Sequence, residues 1–438
     1  MRKWSKALAL TATCSMLLSQ GALAEEALYP PFDSTVDPEI EGELRINIYY
    51  SDTDTTLIDH AVGLMKEKYP NLTLNLEHRT DSDGTQLKTW AAVGELPDYM
   101  DVPDYVTHEI LVESGDAYAL NDAIEATNYF DHFVNGDLYK AAHTEDDGMI
   151  YAFGTETTHV LQVFYNISLF EELGLSEPTN YDEFKNCIVT LKEAGKVPIA
   201  LFGAEQWPGM ALYELAAVGE GALQASLPIN EGEKKYADDE AYYRAAQKIQ
   251  ELAELGAFGS GALSTNADQA FELLKTGEAG FLVNGSWFWN TAETGGYSDN
   301  IGWCHNNVFA DPENVEAVKG YCVGGAFLKQ GFMVNANPPS GLDPEDVARL
   351  SLEFEYYTKV ALGEHGKLTS AKGDYTLVGS DTFQDFCREY STFKNFIPLP
   401  QEYTNGALVS TLGSAIEMII SGNSTAEDFM EEMAAGGF

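Results

Sequence analysis

The clearest chemical signal in this chain is a pair of tryptophans that follow a strand-like segment. Trp287 and Trp289 come directly after an apolar run, residues 281–283, and the dipeptide Asn284-Gly285, which is typical of a turn. An indole presented after a turn carries an apolar face that is costly to hydrate, and the C–H face of a sugar ring fits such a surface. The alternative for both tryptophans is that they fill a hydrophobic core.

Sugar chemistry also requires polar groups, because hydroxyls bind to carboxylates and amides through charge-assisted hydrogen bonds. The candidate residues near a predicted strand end or turn are Trp287, Trp207, Asp52, Asp104 and Glu156. A further candidate, Tyr403, lies between Pro400 and the next predicted helix. Each has a structural alternative. The aromatic rings could pack on their own domain, and in a chain with 69 acidic residues a carboxylate is by default a solvated surface group.

The elements that must position these residues alternate between strand and helix. Residues 44–50, 72–76 and 97–102 are predicted strands, separated by predicted helices over 55–69 and 86–93. This order indicates an α/β fold with a parallel sheet, in which ligands bind beyond the carboxyl ends of the strands.

A second α/β unit follows in the sequence. It has predicted strands at 160–165 and 197–202 and predicted helices at 166–173, 181–194, 241–255 and 267–276. The last third is mainly helical, over 346–360, 381–386, 407–420 and 426–434.

The N-terminus has the pattern of an export signal. A basic start is followed by an apolar stretch and by Ala22-Leu-Ala24, a small-x-small cleavage site. We therefore expect a signal peptide over 1–24, an exported protein in an extracellular or periplasmic location, and a tether or disordered arm over 25–42. Cys14 leaves lipid anchoring open as an alternative to ordinary cleavage.

The charge of the chain excludes some partners. The formal net charge is −44, from 69 acidic and 25 basic residues. Nucleic acids and anionic lipids need clustered Lys and Arg, so neither is expected as a partner. The charge disfavours anionic sugars for the same reason, and it permits a cationic ligand such as a polyamine.

Cofactor and enzyme motifs are absent from the sequence. The cysteines show no C-x-x-C pairing, the histidines have no metal-ligand spacing, and no phosphate loop or nucleophile elbow is present. No cofactor, metal or catalytic residue is predicted. Cys304 and Cys322 could form a disulfide or remain reduced and buried. A glycoside-acting enzyme remains the alternative from another class, since two cleft carboxylates could hydrolyse a glycoside.

Several segments, taken in order, resemble one protein family. They are residues 68–74 (KYPNLTL), 96–98 (LPD), 148–153 (GMIYAF), 164–170 (FYNISLF), 191–201 (LKEAGKVPIAL), 277–289 (GEAGFLVNGSWFW) and 421–428 (SGNSTAED). Together they resemble the extracellular solute-binding proteins of sugar ABC transporters, family 1. The block that ends at Trp289 looks like that of maltose-binding protein, in which the tryptophan matching Trp287 stacks on sugar.

The resemblance implies a type II periplasmic-binding-protein-like fold, with two α/β lobes joined by a hinge around a ligand cleft. It implies lobe I over 43–153 and 324–373, lobe II over 154–323 and 374–438, and chain crossings near Phe153, Val323 and Asp374. The implied function is a monomeric receptor that captures a neutral mono- or oligosaccharide and delivers it to an ABC permease. A polyamine receptor and an extracellular glycoside-acting enzyme are the alternatives.

Overall fold

The structure is a computed structural model, and it describes residues 28–49, 55–79, 81, 84–134, 136–145, 147–154, 159–224, 226–325, 331–390, 395–400 and 405–438. The predicted leader over 1–24, with Cys14, lies outside these residues. So do three of the predicted ligand-binding residues, Asp52, Glu156 and Tyr403.

The strands are β1 Gly42–Ile48, β2 Leu72–His78, β3 Tyr99–Val102, β4 Ala152–Phe153, β5 His159–Asn166, β6 Val197–Ala200, β7 Ala279–Gly285, β8 Ile301–Trp303, β9 Tyr321–Gly325, β10 Gly331–Val334 and β11 Asn395–Ile397. The first half of the chain contains the helices α1 Thr56–Lys68, α2 Thr85–Val93, α3 Tyr105–Glu113, α4 Asn121–Thr127, α5 Gly136–His143, α6 Ile167–Leu173, α7 Tyr181–Glu193 and α8 Trp207–Gly219. The second half contains α9 Ser226–Asn230, α10 Glu240–Leu255, α11 Ala267–Lys275, α12 Phe288–Thr294, α13 Val315–Val318, α14 Pro344–Glu364, α15 Asp381–Tyr390, α16 Gly406–Ile420 and α17 Ala426–Ala435.

These strands form two separate sheets. The first has the order β2-β1-β3-β10-β4, and β1 is parallel to both β2 and β3. The second has the order β11-β9-β5-β7-β6, with β8 also paired to β5, and β6 is parallel to β7. The predicted α/β fold is confirmed, and each sheet supplies the core of one lobe.

The chain passes between the two sheets more than once. Strand β4 belongs to the first sheet and β5 to the second, whereas β9 belongs to the second and β10 to the first. Near Asp374 the backbone still contacts the first lobe, since the Asp374 amide donates to the Leu28 carbonyl. At Ser380 it contacts the second lobe, because the Ser380 amide donates to Glu293 Oε1.

Local sequence signals explain several element boundaries. In α17 the Thr425 side chain accepts from the Asp428 amide while Asp428 accepts from the Thr425 amide, a reciprocal capping box. Helix α8 was not predicted as a helix, because it is apolar on nearly all sides and shows no amphipathic period. Twelve of its residues are buried, so it runs through the core of the second lobe rather than over its surface.

The N-terminal arm differs from the predicted tether. In the described part of residues 25–42, Phe32 and Val36 are buried in the core of the first lobe. The Tyr356 hydroxyl donates to the Pro30 carbonyl at 2.6 Å. Apolar burial and this hydrogen bond fix the arm on α14, so the prediction of a loose tether is wrong for these residues.

None of the described helices is both long enough and apolar enough to cross a bilayer.

A carboxyl group is buried in the second lobe, and one hydrogen bond only partly offsets the cost of its desolvation. Glu214 on α8 is 0% exposed, and the Tyr242 hydroxyl donates to its Oε1 at 3.2 Å. Burial raises the pKa of Glu214 to about 8, and the Tyr242 hydrogen bond only partly opposes this. The folded state therefore holds a proton that the unfolded state releases above its ordinary pKa of 4.5.

This proton makes stability fall as pH rises. The contribution of Glu214 is fully present below pH 4.5 and is lost as pH increases through about 8. We expect Glu214→Gln to lack this pH-dependent loss of stability. As pH rises through the window, the free energy of unfolding of the variant should therefore increase relative to that of wild type, by at most about 1.4 kcal/mol per pH unit. Chemical denaturation across the window measures the effect.

Glu254→Gln on α10 is the matched control, because it makes the same substitution at an exposed position. An identical pH profile for Glu214→Gln and wild type would contradict the assignment of a protonated Glu214.

Candidate functional site

The ends of the two sheets that carry the candidate residues face each other across the passages of the chain. In the first sheet Gly331, where β10 begins, pairs with Val102, the last residue of β3. In the second sheet His159, where β5 begins, pairs with Gly325, the last residue of β9. The passages therefore connect two edges. One is the edge of the first sheet at which β1, β2 and β3 end, and the other is the edge of the second sheet at which β7 and β9 end.

A close approach between the lobes lies beside these edges. A methyl group added at Gly406, the first residue of α16 in the second lobe, would lie 2.7 Å from Cγ2 of Val106. Val106 belongs to α3, the helix that follows β3 in the first lobe. The two edges therefore border one cleft, and in open α/β sheets a ligand binds beyond the carboxyl ends of the strands.

The second lobe presents two tryptophans at this cleft edge. Trp207 follows β6 and Trp287 follows β7, and these strands are parallel neighbours. Their ring centroids lie 5.8 Å apart with the planes inclined by 56°. Both side chains are half-buried, so the two indoles form one partly exposed apolar wall. The structure brings together the two predicted aromatic residues that it describes.

The turn before Trp287 differs from the prediction. Asn284-Gly285 does not form the turn; β7 continues through both residues, and Gly285 pairs with Leu161 of β5. The glycine is needed for a different reason, because a methyl group at Gly285 would lie 2.0 Å from Cζ3 of Trp287. The Trp287 ring thus lies directly against Gly285 at the end of its own strand.

Trp289 is a core residue. Its side chain is 1% exposed and packs against Phe164, Phe383 and Phe386. Of the two alternatives that the sequence left open, the structure places Trp289 in the core.

The first lobe presents polar groups at its cleft edge. Asp101 Oδ2 accepts from Arg79 Nε at 2.9 Å and from the Tyr49 amide at 3.3 Å, which ties together the ends of β1, β2 and β3. The Arg79 guanidinium also lies 5.7 Å from the centre of the Tyr49 ring. The Tyr49 residue is 66% exposed, although its ring has a cation–π contact with Arg79.

Asp104 has a structural role at the start of α3. Its Oδ1 accepts from the Thr107 amide at 2.9 Å and its Oδ2 from the Thr107 hydroxyl at 2.7 Å, which is an N-cap. Gly84 lies against this pair, since a methyl group there would be 1.9 Å from Thr107 Oγ1. Asp104 is partly exposed at the predicted edge, but both of these hydrogen bonds are accepted from Thr107 of the helix that it caps.

Sequence reasoning missed four residues that the structure places at this cleft, which are Tyr49, Arg79, Glu205 and Gln206. Tyr49 directly follows β1, whereas the sequence analysis named Asp52, which comes later in the chain. Glu205 accepts from the Trp207 indole nitrogen at 3.1 Å, and Gln206 separates the two. The segment after β6 contains a short 3-10 helix, Gly203–Glu205, that no sequence period announces.

The described residues contain no group of His, Cys, Asp and Glu side chains arranged to hold a metal ion. Cys304 and Cys322 are buried and do not form a disulfide in the structure. Of the two alternatives given by the sequence, the structure has the reduced, buried cysteines. Burial raises the pKa of the Cys322 thiol to about 12, so this thiol is unreactive at neutral pH.

The chain belongs to the bacterial extracellular solute-binding protein family, which it matches over residues 52–307, more than half of its length. A multiple sugar-binding protein of Streptococcus mutans is 27% identical over 136 residues, which is 31% of this chain and 30% of that protein. The match thus spans less than a third of that relative's length.

Solved structures share the fold over nearly the whole chain. A chitin oligosaccharide binding protein superimposes with a TM-score of 0.75 at 22% identity, covering 90% of this chain and 98% of that one. A structure from work on xylan utilisation by Caldanaerobius polysaccharolyticus gives a TM-score of 0.76 at 20% identity, with 89% and 98% covered. The predicted two-lobe fold is therefore confirmed.

The close contact at the end of β7 can be tested without a ligand. We expect Gly285→Ala to displace the Trp287 indole, because the new methyl group and the ring cannot occupy the same space. The tryptophan emission spectrum should change, whereas Gly63→Ala in α1, where nothing lies within 4 Å, should leave it unaltered. If the same spectral change appears in a Trp287→Phe background, Trp287 is not the residue that moves.

Proposed function

We propose that this protein is an exported receptor that captures a neutral mono- or oligosaccharide in the cleft between its lobes and delivers it to the permease of an ABC importer. The observation that carries the proposal is the apolar wall of Trp207 and Trp287, which lies at a strand edge opposite a polar edge. Sugars need both surfaces, because each pyranose ring has apolar C–H faces and a rim of hydroxyls.

The two edges divide this work. The indoles of the second lobe can cover C–H faces, with each stacked ring adding a large apolar contact. Asp101, Asp104 and Arg79 of the first lobe can bind hydroxyls through charge-assisted hydrogen bonds, each with a net contribution of about 1.5–3 kcal/mol. Tyr49 can provide a further aromatic face at the edge of the first lobe. Asp52, Glu156 and Tyr403 remain proposed contributors.

The named relatives support a carbohydrate ligand. One is a multiple sugar-binding protein and another binds chitin oligosaccharides. Family membership supports an extracellular or periplasmic location and a membrane permease as the partner. We further propose a monomer and a signal peptide over 1–24. Lipid attachment at Cys14 is the alternative to a freely secreted form.

Closure of the cleft is part of the proposal. We propose lobe I over 43–153 and 324–373 and lobe II over 154–323 and 374–438, with the passages near Phe153, Val323 and Asp374 as the hinge. A ligand that contacts both edges binds the closed arrangement better and shifts the population toward it. The permease would then recognise the closed pair of lobes.

The site supports binding rather than catalysis. Both oxygens of Asp104 accept hydrogen bonds from Thr107, and Asp101 is neutralised by Arg79. Neither carboxylate has the arrangement of a general acid poised against a nucleophile. We therefore propose a receptor that releases its sugar unaltered. Hydrolysis products that disappear with Asp104→Asn would support the enzyme alternative instead.

The wall makes a direct prediction for affinity. We expect Trp287→Ala to weaken carbohydrate binding by roughly 2 kcal/mol or more, the scale of a central aromatic contact. The melting temperature of the ligand-free protein should stay nearly unchanged, because Trp287 is only half-buried. Calorimetric titration and thermal denaturation measure the two effects.

Trp289→Ala is the matched control and should instead lower the melting temperature, since Trp289 is a core residue. Lost stability with unchanged affinity in Trp287→Ala would place Trp287 in the core.

The charge of the ligand makes a second prediction. If the ligand is a neutral sugar, affinity should vary little with ionic strength, because no net charge is neutralised on binding. A polyamine would be attracted by the acidic surface, and its affinity would fall steeply with added salt. Titrations of neutral sugars and polyamines at low and high salt separate the two, and a strong salt dependence for the tightest ligand would favour the cationic alternative.

A further inference from the structure

The residue before Trp207 has an unusual backbone conformation. Gln206 has φ 62° and ψ −48°. Thr35 and Asn128 are the other non-glycine residues with positive φ in the described part of the chain. The left-handed helical region, where such residues are normally found, has positive ψ, so Gln206 lies outside it. This conformation costs free energy and persists only where the surroundings hold it.

Helix α16 holds Gln206 in place. The Gln206 amide nitrogen Nε2 donates to Glu417 Oε1 at 3.2 Å. A methyl group added at Gly413 would lie 2.7 Å from Cδ of Gln206, so the side chain lies in a recess that only glycine leaves open. The backbone is also engaged, because Gln206 donates to the Gly203 carbonyl and accepts from the Gly209 amide.

The residues on either side of Gln206 form the support of the aromatic wall. Glu205 accepts from the indole nitrogen of Trp207, and Trp207 is the first residue of α8. The direction in which the chain leaves Gln206 therefore sets where the Trp207 ring points. The centroid of the Trp207 ring lies 5.2 Å from that of Phe202 and 5.8 Å from that of Trp287.

We propose that Gln206, held by Gly413 and Glu417 of α16, is a positioning residue that fixes the Trp207 indole against Trp287 before any ligand arrives. The inference rests on the proposed function only in treating the wall as a ligand surface. Its advantage for binding is preorganisation, since a ring already in place does not have to be ordered when the ligand binds.

A purely structural role predicts something different. Gln206 and Glu417 are both partly exposed, and a hydrogen bond between partly exposed side chains contributes little to global stability. A strained residue kept for stability alone would be better replaced by glycine, which adopts positive φ readily. The strain therefore serves the placement of Trp207.

The test is the Gln206→Gly variant, with the pairing of the two indoles followed by circular dichroism of the ligand-free protein. Two neighbouring indoles give an exciton couplet, which Trp207→Phe and Trp287→Phe identify by abolishing it. We expect Gln206→Gly and Glu417→Ala to reduce the couplet while the melting temperature is unchanged or raised. Ser414→Ala, an exposed position on the same helix, should leave both unaltered.

Affinity for the carbohydrate that binds wild type should fall roughly two- to tenfold in Gln206→Gly, the cost of ordering one side chain on binding. A couplet that is unchanged in Gln206→Gly, or one that Trp207→Phe does not alter in the wild type, overturns the proposal. Because the couplet is measured without ligand, a reduced couplet in a protein that binds no sugar supports the positioning role and contradicts only the proposed function.

Discussion

The position at which the chain passes between its two sheets is the constraint on which the rest of the structure depends. One passage leaves the first sheet after β4, and another enters it at Gly331, opposite the last residue of β3. In the second sheet the passages connect at His159 and Gly325, which pair with each other. Two sheets joined at these ends turn the edges that carry the candidate residues toward one another.

This connection separates stability from function. Each sheet is covered by its own helices and has its own buried clusters. The groups at the facing edges are consequently free to differ. One edge carries a clamp of Asp101 and Arg79, and the other carries two indoles supported by Glu205 and Gln206. A ligand that requires both polar and apolar contacts can make them only when it contacts both edges.

Rigid cores also limit what has to move. The candidate site lies on strand ends and helix starts, which the sheets hold firmly, so a ligand meets side chains that are already placed. The main adjustment left is the distance between the lobes, and the passages are where a change of backbone direction could supply it. The close approach of Gly406 to Val106 shows how little space remains between the lobes at one point of the cleft.

The sequence predicts the elements well where a period or a cap marks them. The predicted helix over 181–194 corresponds to α7, and the predicted strand at 160–165 lies within β5. Helix α8 was missed because burial on all sides leaves no amphipathic stripe to detect. Asn284-Gly285 was assigned to a turn by its local preference, although pairing with β5 overrides that preference.

The site was predictable to a smaller extent. Trp207 and Trp287 are candidates from the sequence because an aromatic face presented near a strand end is costly to hydrate, and Asp104 is one because it follows a strand; as ligand contacts all three stay predictions. Tyr49 and Gln206 could not be chosen from sequence alone. The importance of Tyr49 depends on Arg79 lying beneath it, and that of Gln206 on a recess in a helix some two hundred residues away.

Solution scattering of the protein with and without a neutral oligosaccharide that stabilises it against heat tests the central claim most directly. Two lobes that close on a ligand between their facing edges should give a smaller radius of gyration in the complex. A ligand that binds tightly and leaves the radius of gyration unchanged would contradict a cleft that closes between the lobes.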